Sequence, residues 1–586
     1  MPLHLKLRLF FSFRVKLILA FLAVIIIAVV ISINDNRDNS PEFSSGELIL
    51  STTKNSLNET TNALTTKKDE EYDTYIILSD DKTTINGEGA TFSQGKVTIS
   101  ESGTYAIKGT LSDGSIEICN DAFVKIMLMG VSVNCENGAA LKGDGITEKS
   151  VIHSAEGTSN IFSGGTKNEA AICSDGQLNF SGKGRLVIRS EKGVAVEGED
   201  EIYIEDADMH IISKSDGIVG GSGMRMADSE ISVVSASDGI KTAHLYGPLA
   251  GDFEICNSRV DVYSAYDGIS SAGNLSIEGG KLEISTSGIA KSEQFRPVPE
   301  GNFSGDKEGA MVFLSGGDED ELSGSENNGS AKGLKAQGDI TVKDAGVKIS
   351  SHDDAISASD ITIESGYISV DTDKNGMFAE EQIKINGGDI DITKSLNGIE
   401  SATVSLNGGT IIIKASDDGI NASAEEDGES CLVEFDGAYV QIDSAGDGIE
   451  SDGDIVVLDG TLVVFGPENA ENSAFDCEEK FHIVSGTVLA LSDKRGASEI
   501  STDGLSVLSH SFNRKVSGTG AILKTDGESV IGYHSPKSYD YVVLVSQNVA
   551  ANENCEIYVG GSFDQNSVDG IYFGKYNKGT FAGKMK

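Results

Sequence analysis

The segment EEQIKINGGDIDITKSLNGIES, residues 380–401, decides the fold of this chain. Apolar and polar residues alternate over two short arms, a Gly-Gly pair joins the arms, and the segment closes on Asn397-Gly398-Ile399. Alternation with a period of two over such short stretches indicates β-strands and not helices. The segments ATVSLNGGTIIIKASDDGINAS, residues 402–423, and GDIVVLDGTLVVF, residues 453–465, repeat the pattern. The chain is therefore built from a short, repeated β unit.

The closing element, whose full form is Asp-Gly-Ile, recurs at a nearly constant spacing. Asp354, Asn375, Asn397 and Asp418 follow one another at intervals of 21 or 22 residues. One unit of this length cannot bury an apolar face alone, whereas stacked units can. The full form begins at Asp216, Asp238, Asp267, Asp418 and Asp447, and relaxed forms begin at Ser287, Asp354, Asn375 and Asn397.

This repeat predicts an all-β fold, a right-handed parallel β-helix that is a solenoid of ~21-residue coils. Strands of successive coils would pair in parallel ~4.8 Å apart, and the handedness follows that of parallel crossovers. A β-propeller is the rival fold, but its blades take ~40–50 residues. The 69 glycines fit a solenoid as well, because its turns need residues with positive φ.

Composition divides the rest of the chain. Basic residues precede an apolar run from Leu17 to Ile31, so residues 1–33 are expected to be a signal anchor or signal peptide. The protein is then expected to be extracellular, either secreted or on the cell surface, and to touch a membrane through this segment only. The expected regions are a Ser/Thr/Asn-rich tether at 34–72, the β-helix at 73–465 with an insertion at 291–330, a C-terminal β-strand capping region at 466–560, and a tail at 561–586.

The charge of the chain excludes one class of partner. The sequence has 46 Lys and Arg against 91 Asp and Glu, a formal net charge of −45. Proteins that bind nucleic acid through its backbone need a basic surface that displaces counterions. Nucleic acid is therefore not an expected partner.

The acidic residues of the repeat raise a physical problem. Equivalent residues of adjacent coils lie one above another, so these Asp residues would form a column of like charges, which we call the acid column. Either each Asp caps its own turn by accepting the N–H two residues on, or Ca²⁺ lies between coils on these carboxylates. Asn375 and Asn397 keep the capping ability without the charge, so calcium should concentrate where carboxylates cluster. The candidate metal ligands are Asp216, Asp238, Asp267, Asp353, Asp354, Asp417, Asp418, Asp447 and Glu450.

The repeat and its flanks resemble a known family, the extracellular β-helical carbohydrate-binding domain proteins of anaerobic bacteria, which are similar in fold to pectate lyases. The resemblance covers roughly residues 75–560. It rests on the Asp-Gly-Ile coils together with GKVTISESGTYAIKGTLSDGSIEI (95–118), FGPENAENSAFDCEEKFHIVSGTVLAL (465–491) and YHSPKSYDYVVLVSQ (533–547). It implies calcium within the helix and the binding of cellulose or of acidic plant polysaccharides such as polygalacturonate, without catalysis.

Three functions stay open at this stage. Binding of a polysaccharide is the leading one, and since the chain has no Trp, sugar rings would stack on Tyr. The tyrosines that lie in or beside coils are Tyr203, Tyr263, Tyr266, Tyr367 and Tyr439. The candidate carbohydrate contacts are Tyr263, Tyr266 and Lys241. A calcium-dependent polysaccharide lyase is the alternative, with Lys241 as its base and His244 nearby. The favoured interpretation of Lys241 is instead a charge partner of the acid column, and that of His244 a loop residue. A surface adhesin or structural spacer without a glycan ligand is the third.

Overall fold

The computed structural model describes residues 72–586 except 120–122, 146–148, 167, 244–250, 289–329, 425–429, 470, 494–498, 551–552, 568–569, 573–574 and 578. The expected signal segment at 1–33, almost all of the tether, and the insertion apart from Ser330 lie outside the described residues. Among the described residues, no helix is long and apolar enough to span a membrane.

The described chain contains strands and no helix, and it forms the expected parallel β-solenoid, of about 15 turns. Three parallel sheets run along the solenoid. The first sheet contains the Asp-Gly-Ile repeats, and the Ile of each full repeat is the first residue of a short strand. Its strands are Lys96–Ile99, Ser115–Cys119, Leu141–Asp144, Ile172–Ser174, Val196–Gly198, Ile218–Gly220, Ile240–Thr242, Ile269–Ser271, Leu334–Ala336, Ile399–Glu400, Ile420–Ala422, Ile449–Ser451 and Phe475–Cys477.

The second and third sheets complete each coil. Strands of the second sheet are Thr74–Leu78, Ser150–Ser154, Met224–Ala227, Phe253–Cys256, Leu275–Glu278, Ile340–Lys343, Thr403–Leu406, Phe481–Ile483 and Ile500–Thr502. Strands of the third sheet are Ser159–Gly164, Glu230–Ser235, Arg259–Ser264, Lys281–Thr286, Ala345–Ser351, Gly366–Thr372, Asp389–Ser395, Thr410–Ala415 and Thr487–Ser492.

Longer strands bend from one sheet into the next. Two of them, Ile356–Ile363 and Met377–Ile385, join the first sheet to the second. The others join the second sheet to the third; they are Gly103–Leu111, Val124–Asn134, Leu178–Ser190, Ile202–Ser213, Leu432–Ser444 and Asp454–Phe465.

The core lies inside the coils and is built by in-register stacking. Strand Glu230–Ser235 alternates exposed or half-buried positions with buried ones, as period-two strands do. The isoleucine of the Asp-Gly-Ile element points inward, and Ile218, Ile240 and Ile269 pair directly with one another and are fully buried. Burying one such side chain contributes about 1.5–3 kcal/mol, which explains why the repeat keeps an apolar residue at this position.

The glycine of the Asp-Gly-Ile element does not supply the positive φ that the sequence predicts for glycines in the turns. Positive φ does occur at Gly388 and Gly409, within the Gly-Gly turns, where φ is 97° and 85°. Gly217 and Gly239, in contrast, have no positive φ. A Cβ on Gly239 would lie 2.4 Å from the carbonyl oxygen of Gly268. At Gly239, adjacent coils approach too closely for a side chain.

The two ends of the solenoid use antiparallel strands. At the start, Thr84–Asn86 pairs with Thr74–Leu78, and Ala90–Ser93 pairs with Lys96–Ile99. At the other end is the C-terminal sheet, whose strands are Val507–Lys524, Ser529–Ser546, Cys555–Val559, Ile571–Tyr572 and Thr580–Lys584, with a small pair Ser562–Phe563 and Tyr576–Asn577 beside it.

The C-terminal sheet is attached to the last coils in two ways. Strand Ser529–Ser546 pairs antiparallel with Thr487–Ser492 of the third sheet. Val463 and Phe465 point out of the solenoid into a second core that contains Ile522, Tyr533 and Ile557. The segment 561–586, expected to be a tail, supplies strands to this sheet and buries Ile571 and Met585, so it is part of the folded region.

Candidate functional site

The acid column is a hydrogen-bonded ladder between coils. Asp216 Oδ1 accepts the backbone N–H of Asp238 at 3.1 Å, and Asp238 Oδ1 accepts that of Asp267 at 3.2 Å. In return, Gly217 N–H donates to the Asp238 carbonyl at 3.0 Å. Each side chain therefore satisfies the N–H of the next coil, not the N–H within its own turn that the sequence analysis considered.

The same ladder continues in the later coils, where asparagine replaces aspartate. Asn397 Oδ1 accepts the N–H of Asp418 at 3.2 Å, and Asp418 Oδ1 accepts that of Asp447 at 2.6 Å. An amide oxygen and a carboxylate oxygen are equivalent acceptors for this bond. The charge of the acid column is therefore separable from its structural role.

Lysines neutralise the first part of the acid column. Lys241 Nζ lies 2.7 Å from Asp216 Oδ2 and 3.1 Å from Asp238 Oδ2, between the two carboxylates. Lys335 Nζ lies 2.9 Å from Asp267 Oδ2. Both lysines follow the Gly-Ile or Gly-Leu of their own repeat, on the outer side of the first sheet. An ammonium group thus stands where a bridging cation would bind.

The next carboxylates of the column also have a lysine. Lys332 pairs with Asp354, and its Nζ lies 3.7 Å from Asp353 Oδ1. Asp354 Oδ1 accepts the N–H of Asn375 at 3.2 Å, and Asp353 Oδ1 accepts the N–H of Asp354 at 2.9 Å. These two candidate metal ligands are therefore held by an ion pair and by backbone hydrogen bonds.

Three carboxylates of the last coils meet, and no lysine in the described part of the chain pairs with them. One oxygen from each of Asp418, Asp447 and Glu450 lies within 4.8 Å of the others. Burial raises the pKa of Asp418 and of Asp447. Burial, the hydrogen bond with Asp418 and the neighbouring negative charges raise the pKa of Glu450 to about 7. The Glu450 carboxyl therefore holds a proton at pH values where an ordinary glutamate has lost it.

A neutral oxygen lies beside this acidic cluster. Asn421 pairs in register with Glu450 on the outer side of the first sheet, and its buried Oδ1 has no hydrogen-bond partner among the residues that the structure describes. Carboxylate and amide oxygens are the ligands that calcium prefers. Asp417, also a candidate ligand, is not part of the three-carboxylate group.

Lys241 and Tyr266 lie close to the acid column and away from the third sheet's outer face. Burial acts to lower the pKa of Lys241, but the hydrogen bond with Asp216 and the charges of Asp216 and Asp238 outweigh it and raise that pKa. Tyr266 precedes Asp267 at the bend, and its carbonyl accepts the hydroxyl of Ser264 at 2.9 Å. His244 lies outside the described residues.

A row of polar side chains follows the outer face of the third sheet. Asp208, Glu230 and Arg259 pair directly in register in three successive coils, so they stand ~4.8 Å apart. We call the full set the polar row; it continues in register through Lys281 and Gly346 to Tyr367.

A cleft of about 520 Å³ opens at the beginning of the polar row. Three successive coils bend there through left-handed residues, Asp206, Asp228 and Asn257, with φ between 46° and 52°. Asp and Asn adopt this conformation more readily than other residues with a side chain. The cleft is lined by Lys183, Ala207, Asp208, Asp228, Ser229, Glu230, Asn257 and Arg259.

Ion pairs hold the polar groups around the cleft. His210 Nε2 lies 2.9 Å from Asp208 Oδ1, and the hydrogen bond with His210 lowers the pKa of Asp208. Arg259 binds Asp261 Oδ2 through Nε at 3.1 Å and a terminal nitrogen at 3.0 Å. The Asp261 Oδ1 atom is buried without a hydrogen-bond partner. Charges of both signs thus border the cleft, which suits a ligand rich in hydroxyl groups.

Two tyrosines share this outer face with the cleft. Tyr263, one of the expected carbohydrate contacts, is half-buried and lies four residues after Arg259 on the same strand. Tyr367 stands in the polar row next to Gly346 and is 52% exposed. A glycine as neighbour leaves one side of the Tyr367 ring uncovered. The third sheet therefore presents polar groups and ring faces together.

Sequence reasoning placed Lys241 beside the acid column and Tyr367 among the tyrosines of the coils. It missed Lys332, Lys335 and the polar row as a whole. The lysine signal was present, since Lys241 and Lys335 follow their Gly-Ile or Gly-Leu, whereas Glu400, Asn421 and Glu450 occupy the same position in later coils. The polar row gave no comparable signal, because its members have different residue types. Only the register between strands brings them together.

Comparisons with known proteins identify the family of this chain. A family model described as "Carbohydrate-binding domain-containing protein" matches residues 93–376 and 365–509. Among solved structures, a polysaccharide lyase-like protein from C. thermocellum, in a gadolinium derivative, resembles 37% of this chain and 92% of its own at 21% identity and a TM-score of 0.35. No curated protein matches. Since the family matches together extend over residues 93–509, this chain belongs to the family of carbohydrate-binding domain-containing proteins.

Proposed function

We propose that this protein binds a plant cell-wall polysaccharide on the outer face of the third sheet, and that it does so without catalysis. The observation that carries the proposal is the polar row, which places Asp208, Glu230 and Arg259 in line with the exposed ring of Tyr367. Carboxylates and guanidinium groups bind sugar hydroxyls in pairs, and aromatic rings bind the C–H faces of sugar rings. Membership of a carbohydrate-binding family supports the same class of ligand.

The polysaccharide would run parallel to the solenoid axis. The residues of the polar row succeed one another along that axis, one per coil, whereas Tyr263 stands to one side on the same strand as Arg259. A chain polymer can contact several coils at once, so individually weak contacts add up. Tyr263 is the expected contact that best fits this arrangement, because Lys241 is already bound by two carboxylates.

The net charge of the protein predicts different calcium requirements for binding to polygalacturonate and to cellulose. The net charge of −45 repels a polyanion such as polygalacturonate unless a cation bridges the two. Cellulose is neutral and meets no such repulsion. We therefore propose that binding to polygalacturonate requires calcium and that binding to cellulose does not.

Calcium is proposed at the cluster of Asp418, Asp447 and Glu450. The donor set fits, since three carboxylates of adjacent coils converge there and the Asn421 oxygen beside them is unpartnered. Bound calcium would cancel the repulsion between coils in the part of the acid column that has no lysine. The candidates Asp216, Asp238, Asp267 and Asp354 are less suitable, because lysines already neutralise them.

A lyase is the less favoured function. The proposed base, Lys241, has a raised pKa and holds its proton between two carboxylates. A general base must be deprotonated near the working pH. Incubation with polygalacturonate and calcium should therefore release no unsaturated uronate, and release that disappears in Lys241→Ala would establish the lyase instead.

Retention on insoluble polysaccharide tests the proposed function. The full chain should be depleted from solution by cellulose, and by pectin only with calcium present. Arg259→Ala and Tyr367→Ala should each weaken the retention by about two- to tenfold. Tyr72→Ala is the matched control, because Tyr72 is similarly exposed, at 46%, but lies at the start of the solenoid. A wild-type protein that no polysaccharide retains would favour the spacer.

The proposal also includes the place of action. The basic and apolar segment at 1–33 supports export, with the folded part outside the cell as a secreted or membrane-anchored protein. Fractionation of cells that express the full chain, followed by protease treatment of intact cells, tests this part. Protection of the solenoid from external protease would contradict it.

A further inference from the structure

The C-terminal sheet lies almost entirely outside the residues that the family model matches, and one of its two faces is turned away from the second core. The match ends at residue 509, whereas this sheet extends to Lys584. Its inner face carries the second core, with Ile522 and Ile557 pointing inward. Residues that alternate with these point to the opposite side. This outer face is therefore a separate surface of the molecule.

Aromatic residues cross the outer face in a single line. Phe581 pairs in register with Tyr558, which pairs with Ala521. Ala521 pairs with Gly532, which pairs with Tyr572. The line thus crosses five strands, with its aromatic residues at the ends and its two small residues in the middle.

Two further rings fill the middle of the line. Phe563 lies over Gly532, because a Cβ on that glycine would be 2.1 Å from the Phe563 ring. Phe563 stacks on Tyr572 with ring centroids 4.4 Å apart and planes 6° from parallel. Tyr576 lies 5.0 Å from Phe563 and 6.1 Å from Tyr558. Together with Phe581, 5.6 Å from Tyr558, these rings form a continuous array that we call the aromatic strip.

The aromatic strip is accessible and has polar groups beside it. Phe581 is 51% exposed, and the other four rings are half-buried. The hydroxyl of Tyr558 donates to Glu556 Oε2 at 2.8 Å, and that of Tyr576 donates to the Gly560 carbonyl at 2.6 Å. A large exposed phenylalanine beside oriented hydroxyl groups is typical of a binding surface.

We propose that the aromatic strip binds the sugar rings of a neutral polysaccharide of the cellulose type. A pyranose with equatorial hydroxyl groups presents C–H groups on its flat faces, which pack on aromatic rings, and presents its hydroxyls at the edge. Glu556 stands where it can accept such a hydroxyl. Glu556 and the net charge of −45 disfavour an acidic glycan at this site. The inference rests on the proposed function and adds a second contact surface to it.

A second contact surface changes how the whole chain binds. The polar row lies on the solenoid, and the aromatic strip lies on the C-terminal sheet. Two sites on one chain raise the affinity for a long polymer well above that of either site, provided that both reach it. Loss of either surface should then weaken retention on an insoluble polymer without abolishing it.

The test uses the full chain and insoluble cellulose. Phe581→Ala and Phe581→Leu should each weaken retention by about two- to tenfold, because leucine keeps the apolar volume but has no flat face. Phe123→Ala is the matched control, since Phe123 is 44% exposed on the solenoid, and it should leave retention unchanged. Melting temperatures of all variants should equal that of the wild type, because both phenylalanines are exposed.

The outcomes separate this inference from the proposed function. Retention that falls in Arg259→Ala but stays at the wild-type level in Phe581→Ala would overturn the aromatic strip and leave the polar row in place. Retention that Phe581→Leu preserves and Phe581→Ala reduces would overturn stacking in favour of general apolar contact. A wild-type dimer in sedimentation that Phe581→Ala dissociates, with retention unchanged, would assign the strip to a second copy. A wild-type chain that no polysaccharide retains would overturn both proposals.

Discussion

The Oδ1 atom of Asp216 accepts the backbone N–H of Asp238, which belongs to the next coil, at 3.1 Å. This bond supplies an acceptor where the parallel ladder offers none, because the turn ends the strand at that point. The acid column is thus first of all a set of caps between coils. Its charge is secondary. Lysine neutralises it in one region, whereas no lysine among the described residues pairs with Asp418, Asp447 or Glu450 in the last coils.

Replacement of Asp238 distinguishes capping from charge. Asp238→Ala removes the acceptor of the Asp267 N–H, which should lower the free energy of unfolding by about 1–3 kcal/mol. Asp238→Asn keeps an acceptor in the same place and loses only the ion pair with Lys241, so its loss should be smaller. Urea denaturation of the two variants measures the difference. Equal losses would mean that the ion pair, not the cap, matters at this position.

The glycine of the repeat should be intolerant of a methyl group. In Gly239→Ala the Cβ would lie 2.4 Å from the Gly268 carbonyl oxygen, so adjacent coils must move apart, at a cost of about 1–3 kcal/mol. Ala355 holds the same position in a relaxed repeat and is fully buried, so a methyl group can be accommodated there, and the cost at Gly239 is that of adjusting coils that now pack on glycine. A Gly239→Ala variant as stable as the wild type in urea denaturation would show that the coils adjust freely.

Calcium should stabilise the protein through the lysine-free cluster. At a free calcium concentration 100 times its Kd, the free energy of unfolding should rise by roughly 2.7 kcal/mol. Asp418→Asn should remove most of this response in a calorimetric melt. Asp216→Asn, in the lysine-paired part of the column, is the control and should keep it. An unchanged melting temperature in calcium and in chelator would exclude the site.

The metal-free protein should lose stability as the pH rises. The folded-state pKa of Glu450 is raised from 4.5 to about 7, so between these values the folded protein binds more protons than the unfolded chain. Its free energy of unfolding therefore falls as the pH increases through 7.

Melting temperatures in chelator from pH 5 to pH 8 check this expectation. Glu450→Gln should flatten the decline between pH 5 and about pH 7, since glutamine has no proton to lose. Calcium should counteract the decline, because the ion replaces the proton between the carboxylates. A wild-type melting temperature that increases over this range would contradict the shared proton at Glu450.

The sequence predicted those features that recur at equivalent positions in successive repeats. Alternating residues and the Gly-Gly turn in 380–401 were sufficient for the strands, and the 21- or 22-residue spacing was sufficient for the stacking of coils. The same reasoning placed Asp418, Asp447 and Glu450 among the candidate ligands, and these three carboxylates converge. Each of these inferences uses positions that are equivalent in neighbouring repeats.

Features that depend on register between unlike residues were not predictable in this way. Lys335 reaches Asp267 across 67 intervening residues, because strands Ile269–Ser271 and Leu334–Ala336 are neighbours in the first sheet. Likewise, Arg259 and Tyr367 join one row only through Lys281 and Gly346. The C-terminal sheet has no repeat at all, so the aromatic strip emerged only from its strand pairing.

The antiparallel contact between Ser529–Ser546 and Thr487–Ser492 has a consequence for self-assembly. A parallel solenoid is open-ended by nature, and the last strand of each sheet is a template for another molecule. On the third sheet the chain reverses direction and occupies that template itself. This edge of the third sheet is therefore closed to strand addition by a second molecule.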